Sequence, residues 1–354
     1  MNKKKDYKAS LITLFNWYRI KRINEFVAQC DTDHAWDLIQ SSIESRRKIR
    51  LYRKCASVAA TLLLLVGTGF WYFYGDLDWA YQDKGFMQKG DQTAMLIATD
   101  GSEYRLRSED GKIVSDGGVT VAQNRGHELV YDDTQGNSSK QVGEHSLNVP
   151  RGGEYRLVLS DRTHIHVNAE SHLSYPVTFN QGKREVYLQG EAFFDVEKDT
   201  RKPFIVHTEL GNIEVLGTRF NVTAYENDRV LVTLEEGSVK IIRSGREYLL
   251  TPGQQAIIDR REVEVRPVQV KNHTSWASGI YEYTDTPLET IVQQLSRWYD
   301  VDIVFAKPYL RKRRFAGVIF RNQALQQAVN ILSKVSDVRF VSKGKIIEIT
   351  DKDE

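Results

Sequence analysis

Cysteine is nearly absent from this chain, with two in 354 residues. Both, Cys30 and Cys55, fall near the front, so everything after Cys55 must hold together by core packing without an internal disulfide. Two thiols also exclude CxxC zinc ribbons and cysteine redox pairs. Catalytic signatures are missing too: there is no GxSxG elbow, no Walker A loop, no HExxH and no dinucleotide fingerprint, so chemistry on an external substrate is not expected and no cofactor is implied. His164 and His166 alternate on one predicted strand, with His172 and His207 further along, but no third ligand is indicated and no metal site is expected. Glu191 and Asp195 read as strand alternation rather than a glycosidase pair. Direct nucleic-acid binding is not expected, since neither zinc spacing nor a helix-turn-helix is evident.

Hydrophobic residues at 41% and charged residues at 27% exclude a mainly disordered, collagen-like or multi-span chain, and the length fits two or three domains. The formal charge of +2 hides a division. Residues 1–54 carry thirteen basic and six acidic groups, a balance of +7, and the remainder carries 36 and 41, a balance of −5. At that boundary Cys55–Tyr74 reads CASVAATLLLLVGTGFWYFY without a charge. As a helix rising about 1.5 Å per residue it spans about 30 Å, the thickness of a bilayer core. It starts too late and ends in too many aromatics for a cleaved signal peptide. Arg46, Arg47, Lys48, Arg50, Arg53 and Lys54 precede it and Asp76 and Asp78 follow. The positive-inside bias therefore predicts a single-pass protein with its N-terminus in the cytoplasm.

Residues 1–54 are predicted to form short helices, the first carrying Leu14, Trp17, Tyr18 and Phe26, the second capped near Asp33. So small a piece cannot bury that many aromatics alone, so part of its apolar face is expected to meet a partner, another copy or the bilayer surface. After a juxtamembrane linker, 75–93, short Val-, Ile- and Tyr-rich runs separated by turn pairs such as Asp100-Gly101 and Asp110-Gly111 predict an all-β domain over 94–270. LIATDGSEYRL (96–106) echoes LVLSDRTHIHV (157–167), which fits either a sandwich or a solenoid. In 271–354 a shift of 37 residues pairs Leu288 with Leu325, Val292 with Val329, Leu295 with Leu332 and Asp300 with Asp337. Each copy reads strand, helix, strand, with the helices opening near Pro287 and Asn322, which predicts a small α+β domain of two βαβ-like repeats. Trp298 and Tyr299 are expected to pack the first helix on its sheet.

Residues 149–242, with VPRGGEYRLVLSDRTHIHVNAESHLSYPVTF, REVYLQGEAFFDVEKDTRKPFIV and IEVLGTRFNVTAYENDRVLVTLEEGSVKI, closely resemble the FecR family of anti-sigma factors. The tail YTDTPLETIVQQLSRWYDVDIVF is similar to the small domain ending FecR-like proteins of Bacteroidetes type, itself similar to the secretin and TonB short N-terminal fold. The resemblance implies an inner-membrane, single-pass sigma regulator with a periplasmic C-terminal region. Such a protein relays a signal from the signalling domain of a TonB-dependent outer-membrane transporter to an extracytoplasmic-function sigma factor, and so controls nutrient-uptake genes. On that reading residues 1–54 are the sigma-interacting segment, through Leu14, Trp17, Tyr18 and Phe26. The transporter's extension is expected on a sheet edge of the C-terminal domain, at Ile280, Tyr281 and Tyr283 or at Lys345 to Ile349. Some members cleave themselves at a Gly-Thr bond, which maps to Gly217-Thr218. One helix transmits a conformational shift poorly, so release of the cytoplasmic piece by proteolysis is the more natural coupling. Arg162 stands where the family commonly has glycine in an S-D-G-T turn, and His166 where a bulky residue is common. The alternative from another class is a membrane-anchored periplasmic adaptor of an envelope transport complex that binds no sigma factor.

Overall fold

The computed structural model describes residues 93–352 except 108–112, 117–118, 132–142, 180–181, 226–228 and 344–345, and for 113–116 and 119–121 the backbone alone. The cytoplasmic segment, the span Cys55–Tyr74 and the candidate sigma-binding residues Leu14, Trp17, Tyr18 and Phe26 lie outside the described residues. Among the described residues no helix is long and apolar enough to cross a membrane.

The β domain runs from strand Ala94–Ile97 to strand Val263–Pro267. Period-two alternation builds it: EHSLNV at Glu144–Val149 buries His145, Leu147 and Val149, and HIHV at His164–Val167 buries Ile165 and Val167. The eighteen strands lie in two layers packed face to face. One layer carries, side by side, Glu103–Leu106, Ala94–Ile97, Glu144–Val149, Ser171–Pro176, the front of Arg184–Asp195, Phe204–Thr208, Gly211–Val215, Val239–Arg243 and Arg246–Leu250. The other runs from Ile113–Asp116 through Tyr155–Val158, His164–Val167 and the back of Arg184–Asp195 to Val263–Pro267. The sandwich is thus the answer, with the chain advancing steadily along both layers in the manner of a solenoid. Leu147, Leu173, Val206 and Ile213 of one layer meet Leu157, Phe194, Phe220 and Val232 of the other in a single core.

Strand Arg184–Asp195 belongs to both layers because it bends at Gly190, whose φ is +101°. A Cβ there would stand 2.6 Å from the Ser171 Cα, so only glycine lets the two strands approach this closely. Alternation stops at the same point. Gly190 to Phe194 are all buried, since Phe193 faces away from the sandwich core and enters a second core made by the C-terminal domain. The echoed hairpins match in shape: Ala98 N donates to Ser102 O at 2.9 Å, and Leu159 N to Thr163 O at 3.0 Å.

The C-terminal repeat holds to its 37-residue shift. Its helices are Leu288–Tyr299 and Leu325–Ser336, and each ends on an aspartate in the left-handed conformation, Asp300 (φ 50°) and Asp337 (φ 54°). The second helix starts three residues later than Asn322. The strands, however, do not form βαβ units within one sheet. The two first strands, Ile280–Pro287 and Arg314–Phe320, pair antiparallel with each other. The two second strands, Asp302–Phe305 and Val338–Lys343, flank the final strand Ile346–Asp351, one parallel and one antiparallel. Burying both helices between two small sheets satisfies more apolar surface than one sheet could cover.

Candidate partner interface

The two-stranded ribbon is the open feature of the C-terminal domain. Opposed residues share a face, so Tyr281 with Ile319 and Tyr283 beside Gly317 point inward, whereas Ile280 with Phe320 and Glu282 with Val318 point outward. Val318 is 41% and Phe320 54% exposed, an apolar pair on the outermost strand. No further strand pairs with Arg314–Phe320 among the described residues, so its outer N–H and C=O groups form a free edge. The far edge of Ile280–Pro287 is closed by the preceding turn: Glu282 N donates to Ser275 Oγ at 3.0 Å, and Asn272 Nδ2 to Thr284 O at 3.4 Å.

This geometry revises the expected contact residues. Tyr281 and Tyr283 are buried core residues stacked on each other at 6.0 Å, so their side chains cannot meet a partner while the domain is closed. Burial pushes the Tyr281 phenol up to about 12 and the Tyr283 phenol well above 10, and both stay neutral. Ile280 remains half-exposed beside Phe320. Of the stretch Lys345 to Ile349, Lys345 lies outside the described residues, and the rest is not an edge, because Ile346–Asp351 is paired on both sides.

Immediately after the free strand comes Arg321, buried at 2% exposure. Its guanidinium stacks 3.7 Å over Trp298 and lies 5.4 Å from the rings of Trp276 and Tyr281. It bonds Glu154 at 2.8 Å, Asn168 Oδ1 at 3.1 Å and the Trp276 carbonyl at 2.9 Å. Glu154 and Asn168 belong to the β domain, so this one side chain ties the two cores together. The bonds close into a circuit. Asn168 Nδ2 donates to Glu191 at 2.7 Å, Asn221 Nδ2 donates to Glu191 at 2.9 Å, and Trp276 Nε1 donates to Asn221 Oδ1 at 3.0 Å. Thr223 adds a third donor to Glu191 at 2.9 Å, which satisfies its buried carboxylate. His166 fills the remaining slot, 3.3 Å from Glu154 and tilted against Trp276 at 5.0 Å, and desolvation holds its pKa below the usual value against the pull of Glu154. A second tie lies alongside: Arg151 reaches Asp302 at 3.0 Å and the Val301 carbonyl at 2.8 Å, and Gly152 N donates to Arg297 O at 2.7 Å.

The remaining candidates fall around this junction. Gly217 has φ +155°, and a Cβ there would lie 2.7 Å from the Lys198 Cα. Glycine is required by that close approach. Thr218 is buried, its hydroxyl donates to Ser238 O at 3.0 Å, and its carbonyl accepts Val196 N at 3.1 Å. In this arrangement the hydroxyl holds two strands together rather than standing poised as a nucleophile. His164 and His166 lie in one layer, His172 and His207 in the other, and among the described residues no group of three or more His, Cys, Asp or Glu could hold a metal ion. Glu191 is engaged by two amides and a hydroxyl, while Asp195 is exposed and pairs with Arg219 at 3.5 Å. Trp298 and Tyr299 pack as expected and also bind the next turn, through the carbonyls of Arg321 and Gln323 at 2.9 Å each. Sequence reasoning missed Arg321, Glu154, Asn168 and Trp276. The one signal was Trp276 in a polar connecting stretch.

The match to known proteins follows the same two domains. The family model described as FecR protein matches residues 145–240, and that described as FecR, C-terminal, matches 280–349. Two crystal structures of a candidate anti-sigma factor from Parabacteroides distasonis ATCC 8503 are similar to the chain, both at 28% identity. One covers 58% of this chain and 98% of its own with a TM-score of 0.54, the other 59% and 99% with 0.53. No curated protein matches. The two matched segments are thus FecR-family domains, and together with the similar anti-sigma structures they support a regulator of the FecR anti-sigma type. The role that goes with that family is regulation of a sigma factor.

Proposed function

We propose that this protein relays the state of a TonB-dependent outer-membrane transporter to an extracytoplasmic-function sigma factor. It does so as a single-pass inner-membrane protein with residues 1–54 in the cytoplasm and the described domains in the periplasm. The observation that carries the reading is the free strand Arg314–Phe320. It offers an unpaired backbone edge and the exposed apolar pair Val318 and Phe320, the arrangement that strand addition by another chain uses. Arg321 follows that strand directly, so a partner that binds there acts beside the tie between the two domains. On the other side of the membrane, the face with Leu14, Trp17, Tyr18 and Phe26 holds the sigma factor. Any self-cleavage at Gly217-Thr218 would first require the Thr218 hydroxyl to leave Ser238.

The test is titration of the purified protein with the transporter's N-terminal signalling extension. Proline at Val318 removes an edge donor and should weaken binding at least tenfold, as should Phe320→Asp, while Glu282→Gln beside them changes it little. Binding that survives both the proline and the Phe320→Asp change removes the receptor site from this strand. Capture of the cognate sigma factor, weakened by Trp17→Ala with Phe26→Ala, tests the cytoplasmic half separately.

A further inference from the structure

The backbone hydrogen bonds at the two ends of the ribbon fix which groups the free strand offers. Arg321 N donates to Gly279 O at 3.0 Å, and Leu288 N donates to Arg313 O at 2.7 Å. Residues two apart on an antiparallel strand send their backbone groups the same way. Counted from either end, Phe315, Gly317 and Ile319 turn theirs toward Ile280–Pro287, and the register shift between Tyr283 and Thr286 keeps the two counts in step. Arg314, Ala316, Val318 and Phe320 therefore turn theirs to the open edge. The side chains of these four are exposed, whereas Phe315 and Ile319 are buried. The edge thus reads cation, small, β-branched, aromatic along about 20 Å.

Charge gathers at one end of it. Arg311, Lys312, Arg313 and Arg314 are consecutive and exposed. Arg311 holds Glu289 at 2.8 Å and Arg314 holds Asp285 at 3.1 Å, two acids for four cations. Asp351, within the field of Arg313, is already held by Lys307 at 3.3 Å. Toward the other end Glu282 stands opposite Val318, so the face turns from positive to negative over about 14 Å. Charge placed on an edge keeps out strands of like sign and admits those of opposite sign.

We propose that Arg314–Phe320, taken from the reading above as the receptor strand, selects an antiparallel segment that is apolar at alternate positions and acidic at its C-terminal end. Directly opposed residues share a face. In the segment's own direction, apolar side chains lie opposite Phe320 and Val318, and a large one lies opposite Ala316, where the small methyl leaves room. The acids come last, opposite Arg314 and onward to Arg313 and Lys312. Acids at the segment's other end would instead lie beyond Phe320, away from these cations.

The full-length protein, purified in detergent, is titrated by fluorescence anisotropy with the labelled octapeptide Val-Thr-Val-Thr-Tyr-Ser-Glu-Glu. One comparison peptide has Gln for both Glu, and another carries both Glu at its N-terminus. The first peptide should bind saturably in about 0.05 M salt and at least tenfold more weakly in about 0.5 M. Both comparison peptides should bind at least tenfold more weakly than the first. Lys312→Gln with Arg313→Gln should weaken binding of the first at least tenfold, and Val318→Pro, which removes an edge donor, should abolish it. All three positions are exposed, and an unchanged circular dichroism spectrum of each variant confirms its fold. Absence of binding overturns the proposal, as does equal affinity for either comparison peptide or affinity unchanged in the double variant. The transporter's signalling extension separates this inference from the reading it rests on. If its binding falls with Val318→Pro but not with the double variant, selection by acids fails and the receptor strand stands. If the octapeptide binds as expected and does not compete with the extension, the receptor reading fails and the acid-selective edge stands.

Discussion

Replacing Arg321 with alanine removes, in one step, the ion pair to Glu154, the bonds to Asn168 and the Trp276 carbonyl, and the cation over Trp298. Arg321 is 3% and Glu154 15% exposed at the side chain, so solvent cannot replace the lost partner. Breaking such a pair from one side costs about 3–5 kcal/mol, mostly because a desolvated charge is stranded. The cost should fall on the junction first. Within residues 93–354 the tryptophans are Trp276 and Trp298, both buried against this arginine, so their fluorescence reports the junction while far-ultraviolet dichroism reports the sheets. In denaturant the two probes should coincide for the parent protein. In the Arg321→Ala variant, tryptophan emission should shift red at lower denaturant than the β signal is lost. Pairing the change with Glu154→Gln should recover about 1–3 kcal/mol relative to additivity, because the stranded carboxylate is gone. Coincident transitions with a loss below about 1 kcal/mol, or strict additivity in the double variant, would refute the view that this residue joins the domains.

Arg162 holds φ at +70° in the turn between strands Tyr155–Val158 and His164–Val167, with an exposed side chain. Arg162→Gly should therefore raise stability by about 0.5–1 kcal/mol, the relief of left-handed strain less the backbone entropy glycine loses, and an unchanged or lower melting temperature contradicts this. Burial pulls His273 down to about 4 and His166 below its usual value. Both are neutral when folded but bind protons when unfolded, so stability is unaffected by them above pH 6.5 and falls as pH drops below it, for His273 by up to about 3 kcal/mol near pH 4. Replacing His273 with Gln should flatten that part of the pH–stability curve. For topology, alkaline phosphatase fused after Glu354 should be active and fused at Arg50 inactive, and the reverse would remove the signalling model.

The sequence by itself determined every feature that rests on local periodicity. Alternating burial in runs such as EHSLNV and HIHV defined the strands, and the 37-residue shift located both C-terminal helices, down to the aspartates that end them. At position 162 only the family resemblance pointed to glycine, and the structure supplies the reason, a turn that imposes positive φ on Arg162. Tertiary structure alone decided which strands share a sheet. The two first strands of the repeat pair with each other because each helix needs a sheet beneath it, and nothing local distinguishes that arrangement from two βαβ units. It also decided the meaning of side chains whose pattern is ambiguous. Tyr281 and Val318 both alternate on strands, yet one is 3% and the other 41% exposed, because only the packing of the two helices against the ribbon settles which face is covered. Arg321 shows the limit most plainly. A charged residue after a strand reads as solvent-facing, and it is buried here because Glu154, Asn168 and Trp298, drawn from positions 23 to 167 residues away, converge on it only when the two domains meet.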